Sequence, residues 1–270
     1  MSTKIISSIN LKGGVGKTAL AVNLAAYSAR KGKKTLLIDL DPQTNASFSC
    51  IGVEEWGKKV VKNGSVADLL GARKHTSAEG TTKAPSDVII KNAMEGVDLI
   101  PSHIDLFTID LDLAGATSRE TRLRRALKDI ISQYDVIICD CPPNLTIPTQ
   151  NALALSTHYV VPVSLDFLSA IGVGLLIKRV NEFCSDLEHS LSNAGVVISR
   201  VGRPAIHREE TEATLRSQFG NLVLDHKIAE RVSVTQSAQN RKSIFMSNDS
   251  DAIHSFNGVC DEIFNNAGVV

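Results

Sequence analysis

The sequence predicts an α/β fold: a doubly wound, mostly parallel sheet flanked by helices. Four observations carry that prediction. Short apolar, β-branched runs alternate with longer helical patterns along the 270 residues, which is the βαβ rhythm of a parallel sheet with right-handed crossovers. The runs are apolar throughout rather than alternating, as strands covered on both faces must be. A glycine-rich turn follows the first run and leads straight into a helix. Acids end two later runs, at the sheet edge where open α/β folds bind ligands.

The elements follow in order. Ile5 to Ile9 reads as a strand. Lys17 to Lys31 reads as a helix, with Leu20, Leu24 and Tyr27 near helical spacing and Gly32 as its stop. Thr35 to Leu40 is a second strand, and Gly96 to Ile100 a third, ended by Pro101. Arg119 to Ser132 reads as a helix with Leu123, Leu127 and Ile130/Ile131 on one face. Val136 to Cys139, Tyr159 to Val163 and Gly195 to Ile198 are further strands. The polar stretch from Arg73 to Asp87 reads as a mobile loop. No linker rich in Pro, Gly or Ser separates two halves and no internal repeat is present, so residues 1–270 are expected to form a single domain.

Composition sets bounds. The chain is 43% hydrophobic and 21% charged, ordinary for a globular protein. Aromatics make up only 4%, so Val, Ile, Leu and Ala must build the core. The formal net charge is zero, so any basic face is local. The five cysteines, Cys50, Cys139, Cys141, Cys184 and Cys260, lack the spacing of a zinc site or a disulfide framework. Cys139 and Cys141 read as buried filler. No run of 18 apolar residues exists and no signal peptide opens the chain, so a reducing cytosol is the expected compartment.

The chemistry starts at Lys12-Gly13-Gly14-Val15-Gly16-Lys17-Thr18. Strand, glycine turn and helix come in the order that a phosphate-binding loop requires. Gly13, Gly14 and Gly16 let the backbone approach phosphates closely. Successive N–H groups form an anion nest, and the helix directs its positive end at the same point. Lys17 supplies charge to the β and γ phosphates, and the Thr18 hydroxyl can coordinate Mg²⁺. Asp39 and Asp41, at i and i+2 on a strand end, can face one site. Asp140 ends another apolar strand and can hold Mg²⁺ near Thr18, directly or through water.

The loop departs from the general G-x-x-x-x-G-K-[ST] pattern: Leu11 stands where a glycine belongs, and Lys12 precedes the glycine pair. With these features it resembles the deviant Walker A motif of the ParA/MinD superfamily, closest to the short, Soj-like ParA type. Asp39-Leu40-Asp41-Pro42-Gln43 with Asn45-Ala46 is similar to the family's switch I. Tyr134-Asp135 to Pro143 is similar to its Walker B and switch II stretch. Asn151-Ala152-Leu153 and Val160 to Val163 continue the match, and the likeness weakens beyond about residue 180.

The resemblance implies an ATP- and Mg²⁺-dependent hydrolase. The nucleotide would be held by Lys12, Gly13, Gly14, Val15, Gly16, Lys17, Thr18 and Ala19. Lys12 would reach the partner's phosphates across an ATP-sandwich homodimer, and Asp41 would orient the attacking water. Thr18, Asp39 and Asp140 would make the magnesium site, with Asp39 next to Asp41. Three functions remain open on this fold. A partition ATPase binds DNA without sequence preference as an ATP dimer, and a cargo-linked, ParB-like adaptor stimulates its release. A MinD-type ATPase works on a membrane surface. A metabolic enzyme, such as an amidoligase-like synthetase or a nitrogenase-reductase-like electron donor, uses the fold for other chemistry.

The tail Ile253 to Val270 carries no Lys or Arg, against the basic amphipathic helix that membrane recruitment needs. Phe256, Val259, Cys260, Ile263 and Phe264 read instead as a helix face packed on the core. Cys139 and Cys141 do not fit a cluster shared across a dimer, and a synthetase has no need of Lys12. The first function is therefore favoured, in a cytoplasmic protein that joins the nucleoid when ATP-bound. Arg200, Arg203, His207 and Arg208 form one basic cluster, and Lys227, Arg231, Arg241 and Lys242 another. Arg203, Arg231 and Lys242 are the chosen DNA contacts. The family's Pro-Arg-Asn run is replaced by Ala229 and Glu230 before Arg231. The loop lies so near the first residue that no helix-turn-helix is expected ahead of it, nor operator-specific binding.

Overall fold

A computed structural model describes residues 2–71, 83–166, 168–203 and 205–269. Its strands are β1 (Lys4–Ser8), β2 (Thr35–Asp39), β3 (Ile90–Met94), β4 (Val97–Ile100), β5 (Val136–Asp140), β6 (His158–Val163) and β7 (Ser192–Ile198). Its helices are α1 (Lys17–Arg30), α2 (Asn45–Asn63), α3 (Val66–Leu70), α4 (Pro85–Val88), α5 (Ile109–Asp112), α6 (Arg122–Ala126), α7 (Ile147–Leu155), α8 (Ser169–Asp186), α9 (Ile206–Phe219), α10 (Val232–Gln239) and α11 (Ser250–Ala267). The strands form one sheet in the order β3-β4-β2-β5-β1-β6-β7. Every pairing is parallel except β3 with β4. The expected doubly wound, mostly parallel α/β sheet is therefore present.

One apolar core lies on each side of the sheet. Ile5, Leu36, Ile38, Ile137 and Val161 face one side, with α7 and α8 covering it. Ile6, Leu37, Ile138 and Val160 face the other, covered by α1 and α11. This is the period-2 alternation of a strand buried on both faces. The tail forms α11, and Phe256, Val259, Cys260, Ile263 and Phe264 are all buried against this second core. Cys139 and Cys141 are fully buried, as filler should be.

Three expectations need correction. The helix expected over Arg119 to Ser132 is broken into a 3₁₀ turn, the five-residue α6 and a second 3₁₀ turn at Ile131–Gln133. The cause is Asn151 of α7. Its side-chain amide accepts from the Leu123 N–H at 2.9 Å and donates to the Arg119 carbonyl at 2.8 Å, so it replaces the bond those two groups would make in a helix. The third predicted strand, β4, gains an antiparallel edge partner, β3, that the pattern did not show. Asn92 takes a left-handed φ of 47° inside β3 and disturbs its alternation. Of the expected loop from Arg73 to Asp87, residues 73–82 lie outside the described ones, while Pro85–Val88 forms α4.

Candidate nucleotide site

β1 runs between β5 and β6 at the centre of the sheet and delivers the loop to the carboxyl edge. Asn10 pins the loop's start: its amide donates to the Pro162 carbonyl at 2.7 Å and accepts from the Lys12 N–H at 2.9 Å. Gly14 and Gly16 turn the chain with φ of 76° and 87°, the left-handed region where glycine carries no Cβ penalty. Lys17 is buried, and its ammonium donates to the Lys12 carbonyl at 2.9 Å. Burial lowers its pKa, and the nearby charges of Asp140 and Asp41 oppose that shift. Val15 is buried, so its side chain cannot serve a ligand. The Lys12 side chain stands 55% exposed at the rim, 2.5 Å from Asp166.

The acids lie beneath the loop. Asp39 and Asp140 are register partners at the ends of β2 and β5, and both are fully buried. Asp39 accepts from the Ser47 N–H (2.8 Å), the Ser47 hydroxyl (2.7 Å) and the Asp41 N–H (3.1 Å). Burial pushes its pKa up to about 7 against those bonds. Asp41 is nearly buried and accepts from the Gln43 N–H at 2.9 Å. Ser47 and Ser102 brace this pair. The Ser102 hydroxyl donates to the Asp41 carbonyl at 2.6 Å, and the Ser47 hydroxyl is 3.0 Å from the Ser102 N–H. Ser47 is a lone serine that carries no periodic signal, so only its place beside the strand-end acids could have marked it.

Asp140 differs from Asp39. Neither of its oxygens accepts a well-formed hydrogen bond among the described residues. The Thr18 hydroxyl approaches without completing that geometry, and it tempers a pKa raised by burial and by Asp39. An orphaned carboxylate next to a hydroxyl suits Mg²⁺, which takes one or two carboxylates and fills its shell with water and phosphate oxygens. Among the described residues no cluster of three or more His, Cys, Asp or Glu is placed to hold a metal by itself. Asp39, with its oxygens already engaged, is better placed to orient Asp41 and Ser47 than to be a direct ligand.

Raised carboxyl pKa values work against the fold as the acids ionise. That cost is absent below the ordinary carboxylate value and grows as pH rises toward the raised one. Asp140→Asn is therefore expected to raise the melting temperature of the nucleotide-free protein at neutral pH by a few degrees. The same change should weaken Mg²⁺-dependent nucleotide binding. Calorimetry with and without Mg²⁺ checks both, and an unchanged melting temperature would remove the uncompensated charge from the account.

A cleft of about 1090 Å³ opens beside the loop. Gly13, Gly14, Gly16, Lys17, Thr18, Ala19 and Asp41 line it, so most of the expected nucleotide set meets at one place. Arg231, Arg241 and Lys242 line the same cleft further out, whereas Arg203 lies outside its lining. Several residues of the basic clusters carry partners. Arg231 pairs with Asp251 at 2.7 Å and Lys227 with Glu212 at 2.6 Å. Arg200 turns inward to the loop and to Glu230. Arg208 donates to the Arg203 carbonyl.

Comparison with known proteins places this arrangement. A family model described as an AAA domain matches residues 3–193. The chromosome-partitioning ATPase Soj of Thermus thermophilus is 33% identical, over 96% of this chain and 94% of that one. The sporulation initiation inhibitor Soj of Bacillus subtilis is 33% identical over 90% of each. Cobyrinic acid a,c-diamide synthase of Mycobacterium smegmatis, with bound ATP analogue and magnesium, superposes with a TM-score of 0.78 at 25% identity, over 96% of this chain and 93% of that one. A Borrelia burgdorferi plasmid partition protein bound to AMPPNP gives 0.77 at 25% identity, over 98% and 99%. The site is that of a phosphate-loop ATPase, and the chain belongs to the ParA/Soj family of partition ATPases. Among the described residues no helix is long and apolar enough to cross a membrane.

Proposed function

We propose that this chain is a slow, switch-like ATP hydrolase that partitions or positions DNA or another cargo through an ATP-gated homodimer. The observation that carries the reading is the loop itself. It holds a buried lysine, Lys17, within the cleft and a second, solvent-facing lysine, Lys12, on its rim. A single active site has use for the first. The second faces outward, where another subunit's nucleotide can meet it.

Hydrolysis transfers the γ-phosphoryl group to water, breaking the bond to ADP and releasing phosphate. Charge builds on the γ-phosphate oxygens, so positioning and electrostatics dominate. Lys17 neutralises that charge from within its own subunit and Lys12 from the partner. Asp41 holds the water in line. Thr18 and Asp140 would hold Mg²⁺, which when bound adds positive charge at the β and γ phosphates. Because Lys12 acts in trans, ATP joins the two subunits and its loss frees them.

The ATP dimer would bind DNA without sequence preference through Arg203, Arg231 and Lys242. A ParB-like adaptor on the cargo would stimulate hydrolysis and release. Such a protein works in the cytoplasm and on the nucleoid. The buried apolar face of α11 supports this reading over a membrane-surface one. The likeness to a diamide synthase favours a metabolic alternative, but that chemistry leaves Lys12 without a task.

Binding of the ATP-bound form to random-sequence DNA, titrated against salt, tests the reading. Affinity should fall linearly on a log–log plot, with a slope of about 0.9 per phosphate neutralised. Removing Lys242 or Arg231 should reduce the slope by about 1 for each phosphate no longer neutralised, with no change in sequence preference. Absence of any complex at low salt would sink the DNA function.

A further inference from the structure

The phosphate loop is held by Ser199 and Arg200, residues that line the same cleft but that the nucleotide reading does not use. β7 ends at Ile198, and the next two residues turn toward the loop. The Ser199 hydroxyl donates to the Val15 carbonyl at 2.6 Å. The Arg200 guanidinium donates to the Gly14 carbonyl at 2.7 Å through one terminal nitrogen, and reaches Glu230 at 2.5 Å through the other. Its Nε lies 3.2 Å from the same Glu230 oxygen. Arg200 adopts a left-handed φ of 53°, uncommon for a residue with a Cβ and kept only where surroundings hold it.

A planar trans peptide points its C=O and N–H in opposite directions. Fixing the Gly14 carbonyl therefore fixes the Val15 N–H, and fixing the Val15 carbonyl fixes the Gly16 N–H. The next carbonyl, of Gly16, accepts from the Leu20 N–H at 2.9 Å, which fixes the Lys17 N–H. Three successive carbonyls are thus held, and each fixes the direction of the N–H across its own peptide. Among the described residues none accepts a hydrogen bond from those N–H groups. Anion nests are built from such a run.

We propose that Ser199 and Arg200, with Glu230 bracing Arg200, are positioning residues that aim the Val15 and Gly16 N–H groups into the phosphate nest. The proposal rests on the reading of Lys12 to Thr18 as a phosphate loop. Its logic is preorganisation: donors fixed before the ligand arrives lose little freedom on binding. By its spacing Arg200 belongs to a basic surface cluster, and the structure assigns it to the loop instead. Glu230 completes the clamp by engaging the rest of the guanidinium.

The test is calorimetric titration of ADP and ATP, with Mg²⁺, into the full chain and its variants. Arg200→Ala and Ser199→Ala should each weaken ADP and ATP binding about tenfold, as expected for one charged or buried hydrogen bond. Arg200→Lys, which keeps one donor, should recover part of the loss. Glu230→Ala separates this role from direct contact. If Arg200 touched phosphate itself, freeing it would hold or tighten affinity; acting through the Gly14 carbonyl, it should lose affinity. Adenosine, which has no phosphate, should bind all variants as it binds the parent, whereas general damage to the fold would lower the melting temperature and weaken every ligand. Unchanged ADP and ATP affinity in Arg200→Ala and Ser199→Ala, or tighter binding in Glu230→Ala, overturns the proposal. Failure of the parent chain to bind ADP or ATP at all overturns the phosphate-loop reading beneath it.

Discussion

Lys12→Ala is expected to leave nucleotide binding by the monomer within a few-fold of the parent and to abolish ATP-dependent dimerisation. The structure separates the two effects. Lys12 serves its own loop through its backbone: its N–H donates to Asn10 and its carbonyl accepts from the Lys17 ammonium. Alanine keeps both. Among the described residues its side chain makes an exposed ion pair with Asp166, and such pairs contribute roughly 0–1 kcal/mol. Loss of that pair should not unfold the chain or empty its site. Across a dimer the same ammonium would meet phosphate away from bulk water, where a charge interaction is several-fold stronger than at the surface. Light scattering with ATP and Mg²⁺ checks the result, and a stable dimer of Lys12→Ala refutes the trans role.

Much of this site was legible in the sequence because its parts are local. A phosphate loop is one unbroken run, and its backbone geometry follows from glycines at fixed offsets. Asp41 and Asp140 announced themselves as acids ending apolar strands. The sheet was legible for a related reason: a strand buried on both faces must be apolar at every position, and β2, β5 and β6 are nearly so. Solvent-exposed positions in β3 blurred that signal.

What remained hidden depends on bonds between distant residues. Asn151 unmakes the helix at Arg119 from 32 residues away. Ser102 holds the Asp41 carbonyl across 61 residues, and Arg200 reaches Gly14 across 186. No window of sequence contains both ends of such a bond. The pairing of the basic clusters was hidden in the same way: the fold sets Asp251 against Arg231 and Glu212 against Lys227. Charge along a chain does not report what the neighbouring strand or helix brings to the same point.

Asp41→Ala should have the largest effect on turnover, lowering it roughly 100-fold or more, the scale on which a positioned acid or base contributes. Nucleotide binding should persist. The Asp41 backbone keeps its bonds to Ser102 and Asp39 when the side chain is cut back, and the Lys17 ammonium keeps its bond to the Lys12 carbonyl. Among the described residues the Gln43 N–H loses its acceptor, and Lys17 loses one of two nearby negative charges. With ATP bound and hydrolysis blocked, the dimer should accumulate and stay DNA-bound, because the bridging phosphate is never released. Single-turnover hydrolysis and light scattering measure the two outcomes separately. The double variant, Lys12→Ala with Asp41→Ala, then decides whether they are linked. If Lys12 reads the partner's ATP, the double variant stays monomeric although its ATP is intact. A trapped dimer in the double variant would mean that ATP joins the subunits through some other group, and normal turnover in Asp41→Ala would remove it as the residue that holds the water.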